Sequence, residues 1–138
     1  MKYVIDTNIA VALLEQRAQV IGRVAQLSAR EVGLPVIVLA ELLFGARRSK
    51  RVDSNVERVE RLTEILPVLP VTRPIAERYA LLRAAITERG RPKGDFDLLI
   101  ACTALEHSAT LVTNDAALKD GAIDGLRVED WVASNPGR

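Results

Sequence analysis

Tyr3-Val4-Ile5-Asp6-Thr7-Asn8-Ile9-Ala10-Val11 decides the fold. Three apolar residues read as a short buried strand. Asp6-Thr7-Asn8 breaks the run, and Ile9 to Leu14 resumes as a short helix. The same alternation recurs along the chain. Gln19 to Arg30 is amphipathic, with Val20, Val24 and Leu27 at helical spacing. Gly33 reads as a stop signal, Leu34 to Val38 as a second strand with Pro35 near its start, and Leu39 to Arg47 as helix. Asn55 to Leu66 carries Val56, Val59, Leu62 and Leu66 on one stripe. Val68 to Val71 is a brief strand. Pro74 to Arg89 is a long helix, with Pro74 in its first turn and Gly90 ending it. Asp95 or Phe96 opens a helix to about His107; Thr110 to Thr113 and Leu126 to Val128 are the last two strands.

Near-continuous apolar strands that alternate with helices predict a parallel sheet covered on both faces. The fold class is therefore α/β: three layers, α/β/α, around a central parallel sheet of about five strands. A chain of 138 residues without repeat or linker is expected to form a single unit over 1–132, with a frayed tail over 133–138.

Composition narrows the function. The chain is 49% hydrophobic and only 4% aromatic, so its core must be aliphatic. One cysteine excludes a disulfide framework and a cysteine-type zinc site. One histidine means that a His-based metal cage or a Ser-His-Asp triad would rest on His107 alone. The formal net charge of +1 gives no global pull toward nucleic acid, so such binding must come from local clusters. The first residues place Asp6 where a secretory leader needs apolar ones, and the run Leu34 to Phe44 is interrupted by Glu41 and falls short of the roughly 20 residues of a membrane helix. A reducing cytoplasmic setting is the expectation.

The informative residues are acids inside apolar runs: Asp6, Glu41 in Val-Leu-Ala-Glu-Leu-Leu-Phe, Asp97 in Phe-Asp-Leu-Leu-Ile-Ala, and Asp115 after Thr-Leu-Val-Thr-Asn. A buried carboxylate without a partner costs several kcal/mol, roughly, or protonates. Singly, Asp6 also fits a helix N-cap, Asp97 a helix-dipole partner and Asp115 a plain turn. Together they map to one place. Asp6 and Asp115 lie just past strand ends, and Glu41 and Asp97 in the first turn or so of the following helices. That is the carboxyl edge of the sheet, where open α/β folds bind ligands. Four carboxylates gathered there repel unless a cation sits among them, and oxygen ligands without His or Cys select Mg²⁺ or Mn²⁺.

Asp95 reads as the N-cap of the helix carrying Asp97. Cys102 reads as core packing, His107 as a helix-end residue and Trp131 as a packing anchor. Two basic clusters flank the acids: Arg47, Arg48, Lys50 and Arg51, and Arg89, Arg91 and Lys93. Charge runs are often only solvated faces; beside the acids they also suit a rim that holds phosphates.

Asp6-Thr7-Asn8, Glu41, Asp97 and Leu111-Val112-Thr113-Asn114-Asp115, in this order and spacing, resemble the PIN-domain nucleases, and among them the VapC toxins of toxin–antitoxin pairs. The likeness runs from residue 2 to about 132. It implies a Mg²⁺- or Mn²⁺-dependent endoribonuclease that leaves 5′-phosphate ends and is silenced by a small VapB-type antitoxin. Asp6, Glu41, Asp97 and Asp115 fall on the acidic positions, and Thr7, Asn8, Thr113 and Asn114 on the polar positions beside them. Asp6 and Asp97 would hold the main ion, and Asp115 would complete the site directly or through water. Glu41 would orient the attacking water or hold a second ion, and Thr113 would bind a water or a phosphate oxygen. Asp95 has no place in that set. The apolar surplus on Asn55–Leu66 and Pro74–Arg89 predicts a homodimer. The alternative is a non-catalytic module or a Mg²⁺-binding phosphoacceptor receiver. A receiver needs paired acids after its first strand and a Lys after a late one; Asp6 is followed by Thr-Asn, and no Lys follows Val112.

Overall fold

The computed structural model describes residues 1–90 and 93–132; the expected tail over 133–138 lies outside the described residues. Five strands form one parallel sheet: β1 (Tyr3–Ile5), β2 (Val32–Pro35), β3 (Val68–Leu69), β4 (Thr110–Val112) and β5 (Val128–Glu129). Their spatial order is β3-β2-β1-β4-β5. Six helices complete it: α1 (Thr7–Leu14), α2 (Ala18–Ala25), α3 (Val36–Arg47), α4 (Val52–Ile65), α5 (Arg73–Glu88) and α6 (Asp95–Glu106). The chain steps from β1 to β2 to β3 in one direction, then crosses back to β4. Right-handed crossovers therefore put α1–α4 on one face and α5–α6 on the other. α1 packs on α2, α3 and α4, and α6 packs on α5, β1 and β4. The three-layer α/β/α expectation holds.

The central strands bury both faces, which explains their unbroken apolar character. Val4 and Ile5 are fully buried, and they stand in register with Leu111 and Val112, both also fully buried. Each such side chain contributes about 1.5–3 kcal/mol relative to exposure. The sheet reverses its direction of winding between β1 and β4, so the loops after these two strands diverge and leave a crevice at the carboxyl edge. Asp6 follows β1 and Asp115 follows β4.

Several boundaries differ from the sequence reading. The second strand spans Val32–Pro35, not Leu34–Val38, and Val36 already belongs to α3. Pro35, at φ −58°, ends the strand because it has no N–H for the ladder. Val36-Ile37-Val38 is β-branched and apolar, and a short apolar run does not separate strand from buried helix. Glu41 thus sits in the second turn of α3. Gly33 does not stop a helix; it lies inside β2, opposite Val4. The segment read as helix to Arg30 ends at Ala25 and is followed by a 3₁₀ turn, Ala29–Glu31, closed by a Ser28–Glu31 capping box. The last strand is Val128–Glu129.

Trp131 closes the far edge as the expected packing anchor. It is 4% exposed, meets Tyr3 edge-on with ring centroids 5.2 Å apart, and lies under the Arg23 guanidinium at 5.4 Å. Its indole N–H donates to Glu129 at 3.1 Å, and Arg23 pairs with the same carboxylate at 2.8 Å.

Gly33 tests the packing. A Cβ there would stand 2.5 Å from Cδ1 of Leu69 and 3.1 Å from the Met1 sulfur. Gly33→Val is expected to destabilise the fold by about 1–3 kcal/mol through overpacking. Urea unfolding measures this, and an unchanged midpoint would contradict the strand spacing described.

Candidate active site

Asp6 is the best anchored of the four acids. It is 4% exposed at the end of β1. Its backbone N–H extends the β1–β4 ladder to the Val112 carbonyl at 3.1 Å. Its carboxylate also caps α1: Oδ1 accepts from the Ile9 N–H at 3.0 Å. Oδ2 accepts from the Thr113 hydroxyl. The N-cap reading and the site reading of Asp6 are both true of one side chain. Burial pushes its carboxyl above the ordinary carboxylate range; the Thr113 and Ile9 hydrogen bonds oppose this, and the charges of Asp97 and Asp115 add to it.

Thr113 is fully buried, and its hydroxyl is committed. It donates to Asp6 and accepts from the Asp115 N–H at 3.0 Å. Thr113 thereby ties the loop after β4 to the end of β1. Asp115 is half-buried and caps its own turn, with Oδ1 accepting from the Ala117 N–H at 2.9 Å.

Glu41 reaches the edge from α3 and accepts from the Thr7 hydroxyl at 2.5 Å. Asn8 donates to Asn114 at 3.3 Å across the same two loops, on the exposed side. Asp97 is the third residue of α6, where an acid suits the helix dipole. Burial pushes its carboxyl up first, then the charges of Asp115 and Glu41; Lys93 partly offsets them. Each of the four acids acts on Asp97 or Asp6, so the edge predicted from sequence brings them together. Contact between α3 and α6 unites the helices that carry Glu41 and Asp97.

This donor set consists of carboxylate oxygens held beside Thr and Asn, with no His or Cys. It fits a hard divalent cation and does not fit a zinc cage. Among the described residues, no group of three or more His, Cys, Asp or Glu is already arranged to hold an ion.

The basic residues divide. Arg47, Arg48, Lys50 and Arg51 are exposed at the end of α3 and the turn into α4, with Arg48 stacked 5.7 Å over Phe44. Arg89 donates to the Ala122 carbonyl at 3.1 Å. Lys93 is turned inward and only 3% exposed, so it forms no solvent-facing rim. Arg91 lies outside the described residues. Asp95 is not the N-cap of α6; Gly94 is, and Asp95 is the first helical residue. Its carboxylate accepts from Tyr79 at 2.8 Å and lies 3.4 Å from Arg83. The sequence reading missed Tyr79 and Arg83, because a link between two helices leaves no local pattern. Cys102 is buried with its thiol pushed up to about 11, which excludes it as a nucleophile at neutral pH.

Residues 3–123 match the PIN domain family. The chain belongs to the VapC family of PIN domains. It is 35% identical over 133 residues to ribonuclease VapC1 of Haemophilus influenzae, covering 95% of this chain and 98% of that one. It is 28% identical over 131 residues to the tRNA(fMet)-specific endonuclease VapC of Shigella flexneri, with the same coverage. The DNA-bound VapBC structure from Salmonella typhimurium superposes with a TM-score of 0.88 at 29% identity, over 95% of this chain and 98% of that one. The VapC strand order, β3-β2-β1-β4-β5, also differs from the 2-1-3-4-5 order of phosphoacceptor receivers.

Two outcomes follow from this geometry. Thr113→Val strands the Asp115 N–H and one Asp6 oxygen, and should cost about 1–3 kcal/mol in urea unfolding, with Thr113→Ser restoring most of it. The second concerns charge. The carboxyls of Asp6 and Asp97 lie higher in the folded state than in the unfolded chain. Above the unfolded value of 3.8 the native state holds more protons than the unfolded chain, so stability falls as pH rises, and the loss is complete once pH passes the folded values. Without divalent ions, Asp97→Asn should raise the melting temperature at pH 7 and change it little below pH 3.8. A lower melting temperature at pH 7 would show that repulsion does not dominate there.

Proposed function

We propose that this chain is a divalent-metal-dependent endoribonuclease, the toxin of a VapBC-type pair acting on cytoplasmic RNA. The observation that carries the reading is the set of four acids at the β1/β4 crevice, all oxygen donors, in a VapC-family chain. Relatives named ribonuclease VapC1 and tRNA(fMet)-specific endonuclease support RNA as the substrate class.

When bound, Mg²⁺ or Mn²⁺ supplies Lewis acidity toward a phosphate oxygen and lowers the pKa of water. Asp6, fixed by Ile9 and Thr113, and Asp97, at the head of α6, would be the principal ligands. Asp115 would join them directly or through a water. Glu41, steadied by Thr7, accepts a hydrogen bond from the attacking water through its other oxygen and orients it toward phosphorus. The water oxygen would bond to phosphorus while the bond to the ribose 3′-oxygen breaks; one water proton passes through Glu41 to solvent, and the departing 3′-oxygen takes up a proton from solvent. The products carry a 3′-hydroxyl and a 5′-phosphate. Exposed Arg47, Arg48, Lys50 and Arg51 neutralise flanking phosphates, and Asn8 and Asn114 offer amides at the rim.

The VapBC neighbour supports a VapB-type antitoxin as partner. An apolar groove between α1, α3 and α4 suits it. Val11, Leu14, Leu42, Ala46 and Val59 line the groove, and Thr7 and Glu41 stand at its acidic end. A homodimer belongs to the same reading; on α5, Leu81 is the large apolar side chain left open, at 76% exposed. Among the described residues no helix is long and apolar enough to cross a membrane.

RNA cleavage by the purified chain tests the assignment. Activity should require Mn²⁺ or Mg²⁺, vanish with a chelator, and fall at least ~100-fold in Asp6→Asn and Asp97→Asn. The products should be substrates for a 5′-monophosphate-dependent exonuclease. Cleavage that persists in the chelator, or in Asp97→Asn, would overturn the reading.

A further inference from the structure

Lys93 departs furthest from what its sequence context suggests. Its side chain is 3% exposed, and its ammonium stands 2.8 Å from Oδ2 of Asp120. The same ammonium donates to the Ala117 carbonyl. Lys93 lies just before α6, the helix that carries Asp97 in its first turn. Ala117 and Asp120 lie in the loop that follows Asp115. One buried cation therefore joins the two segments that present Asp97 and Asp115. Asp95, at the head of α6, is tied to α5 by Tyr79 at 2.8 Å and by Arg83 at 3.4 Å, and the Arg83 pair is about half exposed on both sides, where water competes and salt screens. The Lys93 side chain is shielded while Asp120 is 33% exposed, so this bridge loses less to solvent than the Arg83 pair does. Among the described residues, Lys93 is also the cation whose charge bears on Asp97.

We propose that Lys93 is a positioning residue for the metal site: its buried bridge to Ala117 and Asp120 sets the separation of Asp97 and Asp115 so that both reach one divalent cation. This rests on the metal-dependent reading above. Two effects of Lys93 oppose each other. Its charge repels an incoming cation, and its bridge holds two ligands in register. Placement outweighs repulsion, because Mg²⁺ demands near-ideal octahedral geometry at about 2.0–2.1 Å and a displaced carboxylate forfeits its bond. The ammonium also already has close anionic and carbonyl partners, which offset much of its field.

Calorimetric titration of the full chain with MnCl₂, without RNA, separates these effects. Lys93→Met should weaken Mn²⁺ binding by ~10–100-fold, the range for residues that orient metal ligands. Lys93→Arg keeps charge and donors and should recover most of the affinity. Asp120→Asn removes the carboxylate charge while its side-chain oxygen still accepts from the Ala122 N–H, and should be several-fold weaker than wild type. A Lys93→Met variant that binds Mn²⁺ as tightly as wild type, or more tightly, overturns the proposal and leaves the nuclease reading intact. Wild-type protein that binds no Mn²⁺ overturns both. If Lys93→Met shows no cooperative melt, Asp120→Asn decides: affinity equal to wild type refutes the bridge.

Discussion

The structure depends on one buried carboxylate doing several jobs at the seam of the sheet. Asp6 ends β1, accepts the Ile9 N–H that starts α1, and accepts the Thr113 hydroxyl that follows β4. A carboxylate has two oxygens with two lone pairs each, so the two hydrogen bonds do not exhaust its acceptor capacity. The same group sets the start of a helix and staples two parallel strands. Its burial is costly, and the neighbouring acids raise the cost. A single substitution at Asp6 therefore changes the burial cost, the helix cap and the strand staple together.

The sheet and the acid edge were legible because both rest on strong one-dimensional signals. Unbroken apolar triplets such as Tyr3-Val4-Ile5 and Leu111-Val112 mark strands covered on two faces. An acid after such a triplet has no bland reading that serves all four positions at once. Other features failed for physical reasons. Val36-Ile37-Val38 reads as strand because β-branched residues also suit a buried first helical turn, and only the missing N–H of Pro35 decides between them. Gly33 reads as a terminator because glycine ends helices; here it lets Leu69 approach the backbone of β2. Asp95 reads as a cap because caps are commonly Asp, whereas Gly94 holds that position and Asp95 reaches sideways to α5. Lys93 reads as a solvent-facing cation because its partners lie 24 and 27 positions away, beyond any local pattern.

Near-neutral net charge conceals a strong segregation. Acids concentrate in the crevice, and unshielded cations concentrate where α3 gives way to α4. A polyanion approaching from bulk water meets the exposed Arg47, Arg48, Lys50 and Arg51, while the carboxylates of the crevice repel it. Composition alone hides this segregation, because opposite fields cancel in a sum and not in space.

Trp131 has a practical consequence. It is the only tryptophan in the chain. Its ring is shielded from water, rests edge-on against Tyr3 of β1, and shares Glu129 with Arg23 of α2. Its fluorescence is thus a native optical gauge of whether the last strand is seated on the sheet. A shift of its emission to longer wavelength signals that edge opening to solvent, with no label attached and no residue of the crevice altered.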